Sequence, residues 1–300
     1  MRWNVALGAL AASWGFIAVL AAAVDLGAEA LAFWRLALAA ATLVVVALAT
    51  RRLDRLAPRG RLGALAALGI VQGAHWLFFF EAVEHGSVAL AVLTFYAAPL
   101  LIALAAPFVL GERTSRLVLG ACLVGALGIA AIALDDGGDG AVTVAAVGAG
   151  LASAATYAVL VLLSKRLLTQ AIPPLTVAFW DCLVGAVAVA PALLLADRVV
   201  PDGAGEWGAV IALGVLFTGL STLLYALLLR HVAAQTAGVL TFLEPVSGVL
   251  LAWALLEQRP GTTTLVGGAL VVAAGVAVVV LEPTEVAVAD APVGVASGAE

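Results

Sequence analysis

The chain is poor in charge: Asp, Glu, Lys and Arg make up 11% of its 300 residues. Soluble domains carry about 25%, so an ordinary soluble fold is excluded. A formal net charge of −5 excludes a strongly basic nucleic-acid binder. Lys165 is the single lysine among 14 basic residues, a scarcity that points to a GC-rich coding bias rather than to function. Three histidines are too few for a metal cluster. Cys122 and Cys182 both fall in apolar runs without metal-ligand spacing, and no disulfide is expected. There is no Walker sequence, so ATP drive would need a partner chain. Neither H-E-x-x-H nor G-x-S-x-G occurs, which argues against a membrane enzyme.

What the chain has in abundance is apolar length. It is 64% hydrophobic, with a mean hydropathy of +1.17. Ten apolar segments of near-bilayer length are expected at 3–24, 30–49, 62–83, 87–110, 117–134, 141–163, 174–196, 207–229, 236–256 and 263–281. The first is too long for the h-region of a signal peptide (about 7–15 residues) and reads as a retained span. Strand alternation is absent, which excludes a β-barrel. The expected fold is therefore an all-α membrane protein of ten transmembrane helices.

Orientation follows from the basic residues of the short loops. One alternating set holds Arg2, then Arg51 to Arg61, Arg113 with Arg116, Lys165 with Arg166, and Arg230; the other holds only Arg198 and Arg259. The first set is expected in the cytoplasm, with both termini, in the plasma membrane. The opposite loops are short and acidic, such as "DDGGDG" at 135–140. The tail over 282–300 is expected to be disordered.

The two halves repeat. "LGACLVGALGIAAIAL" at 119–134 and "VGGALVVAAGVAVVVL" at 266–281 share seven of sixteen positions, 147 residues apart. "VLTFYAAP" (92–99) answers to "VLTFLEP" (239–245), and "AFWR" (32–35) to "AFWD" (178–181). Several ordered matches at near-constant offset imply duplication, giving repeats over 1–140 and 141–281. Five spans per repeat is odd, so the second repeat is inverted. Inverted repeats are an architecture of secondary transporters, with the site between the halves near the bilayer midplane.

These segments also resemble a known family. "SWGF", "FWRLALAAATL", "FFFEAVEHGSVALAVLTFYAAPLLIALAAPFVLGE" and "LYALLLRHVAAQTAGVLTFLEPVSGVLLAWALLEQ" are similar to the EamA family of the drug/metabolite transporter superfamily. The Pro-then-Glu pattern, Pro99 with Glu112 and Pro245 with Glu257, is the most family-like feature, although "LLEQ" stands where "LGE" is usual. The resemblance implies ten helices, inside termini and movement of small metabolites, commonly outward and often with proton exchange.

Charges swap between the repeats. Arg35 is followed by Glu84 after 49 residues, and Asp181 by Arg230 after 49. Paired charges are the usual way to hold ionisable groups at membrane depth, so Arg35 is expected to pair with Glu84 (or Glu81), and Asp181 with Arg230, as structural or gating pairs. Independent snorkelling to water is the alternative.

The candidate transport residues centre on Glu244. A charged side chain at a helix centre costs about 2.5–3.5 kcal/mol on insertion scales. Such a carboxyl can carry a proton or face a cationic substrate, or it can bond a neighbouring helix. The first repeat has Ala97 and Ala98 at the matching place, so the site is asymmetric. Pro99, Pro107 and Pro245 fall inside helices and free the carbonyls of Phe95, Ala103 and Thr241 as kinks or ligands. Polar and aromatic candidates for a cavity are Trp14, Gln72, His75, Trp76, Tyr96, Tyr157 and Tyr225. Gln72, His75 and Trp76 share one helix face, although a lone His is more often satisfied than reactive. Small residues recur in spans five and ten (Gly120, Gly128, Gly267, Gly275) and suit internal packing, with a homodimer as the other use.

The expected function is a secondary transporter, outward and proton-coupled, for small metabolites or drug-like compounds. A non-transporting structural or regulatory membrane protein and a membrane enzyme are the alternatives. No cofactor or metal is expected. The expected partners are a small-molecule substrate and lipid, with no nucleic acid.

Overall fold

A computed structural model describes residues 1–135, 143–257 and 260–281. The acidic loop over 136–140, Arg259 and the tail over 282–300 lie outside the described residues. Among the described residues all regular structure is helical. This is what hydrocarbon demands, because a spanning helix satisfies its backbone groups within itself.

Among the described residues, nine helical segments are long and apolar enough to cross a membrane. They are span one (Arg2–Ala21), two (Ala28–Ala49), three (Leu62–Glu84), four (Leu90–Leu110), six (Val144–Thr169), seven (Pro174–Leu194), eight (Gly203–Leu229), nine (Ala234–Leu255) and ten (Thr262–Leu281). Span five is the helix Arg116–Asp135, apolar over Arg116–Ile132. Ten spans result, as the hydropathy pattern predicts. One boundary is corrected. Span six was expected to end at 163 with Lys165 in a loop. It runs on to Thr169, and Lys165 is fully buried within it.

Glycine sets the closest approaches. A Cβ on Gly128 of span five would lie 2.5 Å from the carbonyl oxygen of Gly267 on span ten. These two spans thus pack backbone to backbone, and they share a core with spans four and nine around Tyr96 and Phe242. A Cβ on Gly73 would lie 2.6 Å from that of Ala188, so span three beds directly on span seven and joins the two repeats. Toward the arginine-bearing end, Leu7, Leu65, Leu68, Leu167 and Leu229 from four different spans form one core around fully buried leucines. At the opposite end the loops hold together through polar contacts. The Trp34 indole donates to the Val199 carbonyl at 2.7 Å, and Arg198 pairs with Glu206.

Three spans are broken near their middles. Span four divides into Val88–Phe95 and Ala98–Leu110, with Pro99 in the first turn of the second piece. Span nine divides into Ala234–Thr241 and Leu243–Leu256, with Pro245 placed likewise. Each proline breaks the ladder one turn before itself. Span one breaks at Trp14 without a proline. There Gly15 passes so close to span nine that a Cβ would lie 2.5 Å from the Gly248 nitrogen. Pro107, by contrast, stays inside a continuous helix. The carbonyl it frees, that of Ala103, accepts from the Thr114 hydroxyl at 2.6 Å. That proline is a satisfied packing feature.

The pairing of Glu112 with Glu257 is also corrected. The second-repeat helix ends in a left-handed residue, Glu257 (φ 58°), as the first ends at Gly111 (φ 72°). Glu257 therefore holds the position of Gly111, not that of Glu112, and its side chain is exposed.

Candidate functional site

One cavity of about 250 Å³ lies between the repeats. Among the described residues, spans five and ten contribute nothing to its wall. Its lining is assembled from the helix breaks and the faces beside them. The break in span one brings in Trp14, the break in span four brings in Tyr96, and the break in span nine brings in Glu244. Span three supplies Gln72, His75 and Trp76, which share a face at i, i+3 and i+4. Spans six and eight add Tyr157 and Tyr225. The structure thus brings all eight candidate lining residues to one wall.

Aromatic rings form most of that wall. His75, Phe95 and Tyr157 lie within 5.2–5.4 Å of one another, centroid to centroid. The Trp14 and Tyr225 rings are 5.8 Å apart, and the Trp14 indole donates to the Ser221 hydroxyl. His75 is 6% exposed and its Nδ1 meets the hydroxyl and carbonyl of Ser153, at 2.9 and 3.1 Å. That nitrogen is already engaged, as a satisfied core histidine would be.

The charges differ from the sequence expectation. Neither proposed pair forms. Glu84 is exposed at the end of span three, beside Glu81 and His85. Arg35 points the other way, into the cavity. Its guanidinium lies 4.9 Å from the centre of the Trp76 ring, and its Nε donates to Thr218 at 3.3 Å. The second pair fails in the same manner. Arg230 is exposed and its Nε donates to His231 at 2.8 Å, whereas Asp181 faces the cavity at 6% exposure. The 49-residue offset places each charge at a depth but says nothing of helix rotation. Rotation turns Arg35 and Asp181 inward and leaves Glu84 and Arg230 at the surface.

Thr218 reaches Arg35 because span eight contains a π-helical turn over Val215–Leu220. The Thr218 hydroxyl itself donates to the Leu213 carbonyl, five residues back, at 2.8 Å. Such turns often mark functional sites. No proline or glycine pattern in the sequence announces this one. Arg35 also acts across the cavity on Glu244 as its opposing charge. The cavity therefore sets one guanidinium against two carboxyls, Asp181 and Glu244.

A family model described as "EamA-like transporter family" matches residues 1–134 and again 144–281. An uncharacterized transporter of Archaeoglobus fulgidus is 27% identical over 195 residues, 65% of this chain and 68% of that protein. Uncharacterized transporter YxxF of Bacillus subtilis is 25% identical over 201 residues, 65% of this chain and 62% of that protein. The pseudopaline exporter CntI of Pseudomonas aeruginosa is 27% identical over 232 residues, 77% of each chain. A solved crystal structure superposes with a TM-score of 0.80 at 25% identity, covering 90% of this chain and 94% of that one.

Proposed function

Because this chain belongs to the EamA-like transporter family, we propose that it is a secondary active exporter that moves small metabolites through the central cavity in exchange for protons. The observation that carries this reading is the position of Glu244. It is an acidic side chain in the first turn after the span-nine break, on the wall of a cavity built from both repeats. A carboxyl there meets both the substrate and any proton that follows it. The broken spans supply non-helical backbone where it lines a cavity, one of the settings in which it is tolerated at membrane depth. The outward direction is supported by CntI, a relative named as an exporter. The volume of about 250 Å³ is below the usual range for drug-sized ligands, about 300–1,000 Å³, which favours small metabolites. In a plasma membrane, the loop arginines support an orientation with Arg2 and Arg51 to Arg61 on the cytoplasmic side.

The test is a proteoliposome assay with a pH dye inside and a panel of metabolites added outside. Substrate-dependent proton movement that Glu244→Gln abolishes, while binding persists, supports coupling at Glu244. Undiminished proton movement in Glu244→Gln overturns it.

A further inference from the structure

Five buried side-chain polar atoms among the described residues have no hydrogen-bond partner in the protein. Three of them belong to the same cavity: Asp181 Oδ1, Gln72 Oε1 and Tyr225 Oη. A buried polar atom left unpaired costs about 1–3 kcal/mol. Three at one wall, each able to accept a hydrogen bond, form an acceptor set that the protein itself does not fill.

The three face the same cavity from three different spans: three, seven and eight. The Gln72 side chain packs on Gly185, one helical turn from Asp181 on the same face of span seven. Tyr157 and Tyr225 lie on the same cavity wall as Asp181. The charge balance points the same way. Arg35 is committed to Trp76, Thr218 and the field of Glu244. Among the described residues no cation pairs with Asp181, because Arg230 lies at the surface with His231. With both carboxyls ionised, one positive charge would balance the cavity, and a bound cation would favour that ionised state.

Resting on the reading of this cavity as the transport site, we propose that Asp181, Gln72 and Tyr225 anchor a primary ammonium group. The transported class is then small monocationic amines with an apolar or aromatic body. A primary ammonium carries three N–H donors, one for each acceptor. The surrounding rings of Trp14, Phe95 and Tyr157 receive the body and add cation–π attraction. An amino-acid zwitterion fits less well, since its carboxylate would compete with Glu244 for Arg35.

The experiment is equilibrium binding of 2-phenylethylamine, L-phenylalanine and 2-phenylethanol to the purified full chain in nanodiscs. It is read by fluorescence of the cavity tryptophans and by calorimetry. Wild type is expected to bind the amine about tenfold or more tightly than the other two, the scale of one charge-assisted contact. Asp181→Asn should lose that preference, Asp181→Glu should keep it, and Tyr225→Phe should weaken it in part. Monodisperse elution guards against misfolded variants. Equal binding of amine and zwitterion, no binding of the amine, or full amine affinity in Asp181→Asn would each overturn the anchor. Proton coupling is read separately. If Glu244→Gln still moves protons but amine binding depends on Asp181, coupling fails and the anchor stands. If coupling needs Glu244 and the amine ignores Asp181, the anchor fails alone.

Discussion

Lys165 Nζ lies 3.8 Å from Glu112 Oε1, joining the second repeat to the first at the arginine-bearing end. The ammonium also donates to the carbonyls of Leu229 and Val232, each at 2.6 Å, where span eight ends. Glu112 Oε2 in turn accepts from the backbone N–H of Ala234, where span nine begins. One ion pair thus satisfies orphan groups at two helix ends. Lys165→Met should destabilise the protein by about 3–5 kcal/mol, because it strands a buried carboxylate and two carbonyls. The double variant Lys165→Met with Glu112→Gln should cost less than the sum of the singles. Thermal unfolding in detergent checks both.

The same contact sets a pH dependence. Burial pushes the Glu112 carboxyl up from its ordinary value of 4.5, against the pull of Lys165 and the Ala234 N–H. The folded state then holds a proton that the unfolded chain releases, so stability falls as pH rises from about 4.5 toward the folded-state value. Glu112→Gln should flatten that part of the curve. Unfolding midpoints measured across pH 4 to 7 test this, and an unchanged slope would contradict it.

Much of the architecture was legible because hydrocarbon allows few solutions. Ten apolar runs, two in-helix prolines at the breaks and the Glu-Pro pair are all visible in the letters. The face shared by Gln72, His75 and Trp76 follows from spacing alone. Rotation is the information that was missing. Arg35 and Asp181 were given depth but no direction, and both turn into the cavity. The break at Trp14 and the π-helical turn at Thr218 depend on packing against Gly248 and Arg35, which lie far away in sequence. Lys165 looked like an accident of composition because its partners, the ends of spans eight and nine, appear only once the chain is folded.

Glycines of span five should differ sharply in tolerance. A Cβ on Gly128 would meet the Gly267 backbone at 2.5 Å, whereas one on Gly120 would meet nothing within 4 Å. Gly128→Ala should cost about 1–3 kcal/mol through forced separation of spans five and ten. Gly120→Ala should be neutral or stabilising by up to about 1 kcal/mol, the helix-propensity gain. Paired melting curves decide it, and equal effects would refute the packing argument.

His75 should prove structural. Its Nδ1 is engaged by Ser153, whose hydroxyl also reaches the His75 carbonyl at 3.3 Å. Ser153→Ala should therefore lower stability by about 1 kcal/mol, because the hydroxyl contact is lost while the Ser153 carbonyl still meets Nδ1. His75→Gln should keep proton flux in the proteoliposome assay, where Glu244→Gln loses it. Abolished flux in His75→Gln would make His75 a proton carrier.

Arg35 should resist its most conservative replacement. Its guanidinium carbon lies over the Trp76 ring while its Nε, set back from the charged tip, donates to Thr218 on the π-helical turn. Lysine keeps the charge but has no donor at the Nε position and no plane to stack. Arg35→Lys should thus lower transport by about tenfold, the equivalent of one charged hydrogen bond. Thr218→Val should give a smaller loss, and combining the two should add little, because each removes the same contact. Arg35→Gln should be worse than either, since it also leaves Glu244 without its opposing cation. Initial flux rates for the four variants, normalised to incorporated protein, test the order. Wild-type rates in Arg35→Lys would show that charge alone matters and that the Thr218 turn serves only the helix.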